Sequence, residues 1–223
     1  MNLRRAPWIA VLTLAMLVRG GICQTAVPYE ADIQEFEAQD AKYPPAKGGI
    51  VFVGSSSIGL WKTLAQDFPR HNVIRRGFGG SQLTDSIRFV HRIVTPYQPR
   101  MVVLFAGTND VASGKTGETV FNDFRTFVGE VRSKLPDARI AYISLTPAPV
   151  RWQFKPQIVR ANTLIRDFCL QGENLVFVDV YHAMLDAEGN PRPELFLADR
   201  LHMNVQGYAI WRKTIAPLLP WGN

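Results

Sequence analysis

Two cysteines and four histidines are all that this chain of 223 residues carries of the softer metal-ligating side chains. No pair among His71, His91, His182 and His202 stands at a ligand spacing such as HExxH, so no metal is expected. Cys23 falls in a leader segment (below), which leaves Cys169 as the one remaining thiol and excludes an intrachain disulfide after the leader is removed. Cys169 sits in an apolar helical pattern and reads as a small buried hydrophobe. A phosphate loop is missing too: Gly114-Lys115-Thr116 would need its upstream glycine at Asn109. Gly77-x-Gly79 would need a third glycine at Gln82, so it is no dinucleotide fingerprint. The acidic pairs Glu35/Glu37 and Glu188/Glu194 lie in surface-type contexts, without a glycosidase signature. There is no internal repeat and no long apolar lid segment.

What the chain has first is a leader. Arg4 and Arg5 precede the apolar run Trp8–Val18, which is too short to span a bilayer, and small residues follow at Gly20-Gly21. Residues 1–23 are therefore expected to be a secretory signal peptide, cleaved near Cys23, leaving no stable membrane anchor. Removing its three arginines (Arg4, Arg5, Arg19) from 25 basic residues leaves 22 against 19 acidic ones, a net charge of +3. An excess that small gives no reason to expect nucleic acid as a partner. Export without disulfides suits a secreted or periplasmic protein.

Residues 24–223 read as one domain. A helical stretch at Tyr29–Tyr43 is followed by five β-type runs: Ile50–Val53, Asn72–Arg75, Met101–Phe105, Arg139–Leu145 and Leu175–Val180. Several are short and continuously apolar, as strands buried on both faces are. Helical patterns alternate with them at Ile58–Asp67, Leu83–Val94, Glu118–Leu135, Gln157–Gln171 and Val205–Leu218. Strand–helix alternation with right-handed crossovers predicts an α/β protein, a three-layer α/β/α sandwich around a five-stranded parallel sheet. In such sheets ligands sit beyond the carboxyl ends of the strands.

Three loops follow predicted strands and carry chemistry. Gly54-Ser55-Ser56-Ser57 offers hydroxyls at a helix start, where serine is also a common cap. Gly77-Phe78-Gly79-Gly80-Ser81 offers bare backbone N–H groups, and Gly107-Thr108-Asn109-Asp110 an uncharged amide donor. Near the end, Asp199 and His202 stand three residues apart, close enough to share one face of a turn. A carboxylate there would fix the imidazole tautomer, and the imidazole would take a serine proton. Together these are the parts of a serine hydrolase, though each loop alone has an ordinary structural explanation. In the proline-bracketed loop after the fourth run, Trp152 is a candidate substrate contact beside Arg151.

In these four blocks the chain resembles the SGNH, or GDSL-type, hydrolase family over roughly Ile50–Tyr208. The resemblance implies a flavodoxin-like sandwich and cofactor-free ester hydrolysis at an exposed site. It assigns Ser56 as nucleophile with Asp199 and His202, and the Ser56 N–H, Gly80 and Asn109 as the oxyanion hole. The sequence departs from the family pattern at Ser55 and Ser81, where aspartate is usual, and at Arg75, where asparagine is usual. The expected substrates are small esters, acetyl or short-chain, including acylated carbohydrate. A lysophospholipase or thioesterase is the alternative with the same site. A non-catalytic carbohydrate- or envelope-binding protein is the alternative without one. The sequence does not fix the oligomeric state.

Overall fold

A computed structural model of the chain describes residues 27–220, so the expected leader, 1–23, lies outside the described residues. Five strands form one parallel sheet: β1 (Ile50–Gly54), β2 (Val73–Gly77), β3 (Met101–Phe105), β4 (Arg139–Ile143) and β5 (Leu175–Val178). Their order is β2-β1-β3-β4-β5, the flavodoxin-like arrangement. Both β1 and β3 are buried along their whole length, which explains their unbroken apolar sequences.

Alternate strand residues face two separate cores. Val51, Val53, Val102, Leu104, Ile140 and Tyr142 meet the helices α1 (Glu30–Lys42), α4 (Leu83–Ile93), the short α5 (Thr108–Ala112), α6 (Gly117–Arg132) and α7 (Lys155–Gln171). Ile50, Phe52, Met101, Val103, Phe105 and Ile143 meet the short helices α2 (Ser56–Gly59) and α3 (Leu64–Asp67), and α8 (Val205–Ile215). The second core is aromatic: Trp211 meets Phe105 and Trp61 edge-on at 4.7 and 5.8 Å between centroids. Aromatic pairs of this kind contribute about 0.5–1.5 kcal/mol beyond the area they bury. Cys169 is buried in the first core, as its pattern implied. Among the described residues no helix is long and apolar enough to cross a membrane.

Two departures from the sequence expectation have local causes. Ile58–Asp67 is not one helix but α2 and α3 with an irregular step between them. Its buried residues Ile58, Trp61 and Leu64 recur every third position, a period too short to stay on one face of an α-helix. The step is pinned by the Trp61 indole, which donates to Asp67 at 2.7 Å, and by Arg75, which donates to the Trp61 carbonyl at 2.9 Å. Likewise β4 and β5 stop short of Leu145 and Val180, because side chains replace the ladder there. The Asn162 amide accepts from Leu145 N at 2.8 Å and donates to Leu145 O at 3.1 Å. Ser144 Oγ accepts the N–H groups of Val180 and Tyr181 at 3.0 and 2.9 Å.

In the order β2-β1-β3, chain direction around the sheet reverses between β1 and β3, and a crevice opens at their carboxyl ends. Ser56 follows β1 there, Gly80 follows β2 and Asn109 follows β3.

Candidate active site

Tight backbone contact shapes the first loop. Gly54 has φ +137°, and a β-carbon on it would lie 1.9 Å from the Phe105 carbonyl oxygen, so only glycine fits. Ser55 N donates to that same oxygen at 3.0 Å and starts α2. Of the three serines, Ser55 and Ser57 are buried, and the Ser57 carbonyl accepts the Tyr208 hydroxyl at 2.9 Å. Ser56 turns outward, and its Oγ lies 3.0 Å from His202 Nε2.

Asp199 and His202 occupy a turn closed by a Phe196–Met203 bridge and by Leu197 N donating to the His202 carbonyl at 2.7 Å. Arg200 takes a left-handed φ of +57° inside it. Asp199 Oδ1 accepts the N–H groups of Leu201 and His202, both at 2.9 Å, while Oδ2 meets His202 Nδ1 at 2.6 Å. The two backbone donors and then the imidazole hold the Asp199 carboxyl down at about 2. Nδ1 therefore carries its proton toward Asp199, and Nε2 presents a lone pair to Ser56.

The donors lie on the other side of Ser56. Gly80 has φ +77°, and its N–H, like that of Ser56, donates to no group among the described residues. Asn109 Nδ2 donates to the Ser81 carbonyl at 2.9 Å, leaving its second proton free. Asp110 beside it is wholly buried, receives Leu83 N and is paired with Lys115 at 2.8 Å. Burial raises its pKa, against Lys115 and the N–H groups it receives. Asp110 thus fastens the β3 loop to the start of α4. Ser81, where the family usually has aspartate, donates to the Phe78 carbonyl at 2.9 Å and shapes the Gly80 turn.

Ser56, Gly80, Asn109 and His202 line one open cleft of about 490 Å³, together with Asp32, Leu60, Phe78, Arg151 and Leu201. The model of the GDSL-like lipase/acylhydrolase family matches residues 52–210. The chain belongs to that family. As a GDSL-like acylhydrolase it is an ester hydrolase, which answers the binding-only alternative. No match is found among curated proteins. Among solved structures the chain is similar to a GDSL-like lipase from Bacteroides thetaiotaomicron VPI-5482, with 22% identity and a TM-score of 0.71 over 84% of this chain and 97% of that one. A Streptococcus pneumonia protein named for a platelet activating factor superposes with TM-score 0.75 at 19% identity, covering 85% of this chain and 92% of the other. A variant of an acetyl-xylooligosaccharide esterase from Geobacillus Stearmophilus gives 0.63 at 15% identity, covering 80% and 98%. At such identities the likeness is one of fold.

The structure brings Ser56, Gly80, Asn109, Asp199 and His202 of this acylhydrolase together, but not Trp152. Trp152 packs on the first core with Lys155 Nζ 4.6 Å from its ring centroid, outside the residues that line the cleft. Its neighbour Arg151 enters the cleft instead, donating to Thr108 O at 2.8 Å and to Asn109 Oδ1 at 3.1 Å. A second Asp-x-x-His turn, which the sequence reading did not single out, lies at Asp179–His182. Asp179 Oδ2 meets His182 Nδ1 at 2.6 Å and Oδ1 accepts His182 N at 3.1 Å, as in the Asp199 turn. It lies at the end of β5, and no hydroxyl is bonded to its Nε2 among the described residues.

Proposed function

We propose that this acylhydrolase is a serine esterase in which Ser56, His202 and Asp199 act as a triad. The observation that carries the reading is the unbroken chain Asp199 Oδ2–His202 Nδ1, His202 Nε2–Ser56 Oγ, at 2.6 and 3.0 Å. Nε2 takes the hydroxyl proton as Oγ attacks the ester carbonyl. The carbonyl oxygen becomes an oxyanion held by the N–H groups of Ser56 and Gly80 and the free Asn109 proton. The imidazolium returns the proton to the departing alkoxide, leaving an acyl-enzyme. A water, deprotonated by His202, then attacks the acyl carbon, and Ser56 leaves with its proton restored.

Small acyl groups, acetyl or short-chain, are the proposed substrates, including those on carbohydrate. An open cleft without a long apolar lid supports this, as does the proposed export through the leader at residues 1–23. A lysophospholipase or thioesterase remains the second reading because of one feature beside the cleft. Leu60 is shared with an apolar groove of about 420 Å³ lined by Leu197, Met203, Val205 and Tyr208. Hydrolysis of a p-nitrophenyl ester series by residues 24–223 and by Ser56→Ala separates the readings. Short-chain activity abolished in the variant is expected. A rate that climbs with chain length favours the second reading, and activity that survives Ser56→Ala refutes the nucleophile.

A further inference from the structure

Arg151 sits in a 3₁₀ turn (Pro149–Phe154) that follows β4. Val150 N donates to the Arg200 carbonyl at 3.2 Å, so this turn is tied to the segment that carries His202. The guanidinium forks over two neutral oxygens of the β3 loop, Thr108 O and Asn109 Oδ1. Most other arginines with described partners meet a carboxylate: Arg76 with Asp40, Arg92 with Glu37, Arg160 with Glu118, Arg192 with Glu194. Among the described residues Arg151 has no such ion pair, although it is half-buried and its burial lowers its pKa. A partly desolvated cation without a counter-ion is costly unless its charge is used.

Its contact with Asn109 shows a use. The Asn109 amide is held at both ends, Oδ1 by Arg151 and Nδ2 by the Ser81 carbonyl. Flipping the amide would set its NH₂ against the guanidinium and its oxygen against a carbonyl, two repulsive contacts in place of two hydrogen bonds. One orientation survives, and in it the second Nδ2 proton is free for the cleft. A charge-assisted bond to Oδ1 also draws electron density from the amide and strengthens that proton as a donor.

We propose that Arg151 is a positioning residue of the oxyanion hole, which locks and polarises the Asn109 side chain so that Nδ2 donates to the developing oxyanion. The proposal rests on the esterase reading above. It requires no direct contact between Arg151 and substrate.

The test is a double-mutant cycle on the mature protein with p-nitrophenyl acetate. Arg151→Met is expected to lower kcat about 10–100-fold, part of the 100–1000-fold that a whole oxyanion donor is typically worth, with KM within about 2-fold. In an Asn109→Ala background the same change should alter kcat by less than about 3-fold, because the group it acts through is gone. Arg151→Lys keeps the charge and much of the packing but cannot fork over both oxygens, so its kcat should fall between those of the wild type and Arg151→Met. Equal losses in both backgrounds would overturn the proposal, as would an effect confined to KM, which would make Arg151 a substrate contact. If Arg151→Met does not fold, the cycle with Arg151→Lys decides the matter by the same additivity. Fluorophosphonate labelling of the wild type keeps the two claims apart: failure to label Ser56 sinks the esterase reading, whereas labelling with an additive cycle sinks only the role of Arg151.

Discussion

Replacing Asp199 by asparagine tests the site at its most local point. Oδ1 accepts two backbone N–H groups, and an amide can keep both only by placing its oxygen there. Its NH₂ then faces His202 Nδ1, where the carboxylate Oδ2 now lies 2.6 Å away. A donor at that position forces the proton of the imidazole onto Nε2, the nitrogen 3.0 Å from Ser56 Oγ. The base then has no lone pair for the serine proton, and no acid partner stabilises the imidazolium. A wrong tautomer in an otherwise intact triad costs about 10⁴-fold in kcat, close to 5.5 kcal/mol of barrier. Stability should hardly move, because the Asp199 side chain is 47% exposed and pairs of that kind are worth about 0–1 kcal/mol. The assay is kcat on a short-chain ester with a thermal melt alongside, and the molecule contains its own control in Asp179→Asn. That substitution alters a turn of the same geometry on β5 and should leave kcat within about 2-fold. An Asp199→Asn enzyme within 10-fold of wild type would refute the reasoning, and so would an equal loss from Asp179→Asn.

Three further outcomes are expected. Gly80→Ala places a side chain at φ +77° with nothing nearer than the Tyr29 hydroxyl at 3.5 Å, so its cost is backbone strain of about 1–2 kcal/mol rather than a clash. A Tm lower by about 2–8 °C is expected, with kcat about 10–100-fold down as strain moves the Gly80 N–H, which alanine keeps, out of line; unchanged kcat would contradict that displacement. Asp110→Asn leaves Lys115 leaning on Asp123 alone and breaks a pair whose acidic member is wholly buried, for a loss of about 2–4 kcal/mol. Urea unfolding within 0.5 kcal/mol of wild type (about the scatter for neutral surface changes) would contradict it. Because the Asp199 carboxyl is held at about 2 against an ordinary 3.8, its contribution to stability is present above about pH 4 and lost as pH falls through 2. Any urea-midpoint gap between wild type and Asp199→Asn at pH 5 should therefore close by pH 2, and a gap that widened would reverse the sign of the argument.

Much of the scaffold was legible because burial writes itself into sequence. Runs such as Ile50–Val53 and Met101–Phe105 are apolar throughout since helices cover both faces of the sheet, and no surface strand would tolerate that. Gly54 and Gly80 stood out because a close approach and a positive φ leave few other residues possible. What stayed hidden depends on partners distant in the chain. The break at Leu60 needs Arg75 and Asp67 to hold Trp61, and the early ends of β4 and β5 need Asn162 and Ser144. The choice between Arg151 and Trp152 is of the same kind. Both occupy one short 3₁₀ turn, and only the place of the β3 loop decides which side chain reaches the cleft. An arginine after a strand with no acidic neighbour in sequence is the one local signal for it, and Trp152 beside it is the larger candidate by size alone.

The two Asp-x-x-His turns show where local chemistry stops and topology begins. Each has a carboxylate that accepts the histidine backbone N–H through one oxygen and the ring through the other. Spacing alone produces that much, since three residues of turn bring the two side chains together wherever the turn occurs. A nucleophile cannot be produced the same way, because Ser56 lies 146 residues before His202 and is delivered by β1. In this strand order β1 lies next to β3 and opens its crevice at the carboxyl ends, while β5 lies at the sheet's far edge beside β4. The Asp179 turn therefore ends up beside Thr163 and Phe177 of its own neighbourhood, and the Asp199 turn beside Ser56. The imidazole in both turns is oriented for proton transfer, but among the described residues only the second has a hydroxyl bonded to its Nε2. The site is thus a property of the strand order acting on a common local motif, which is why four weak sequence signals became specific only when taken in their order along the chain.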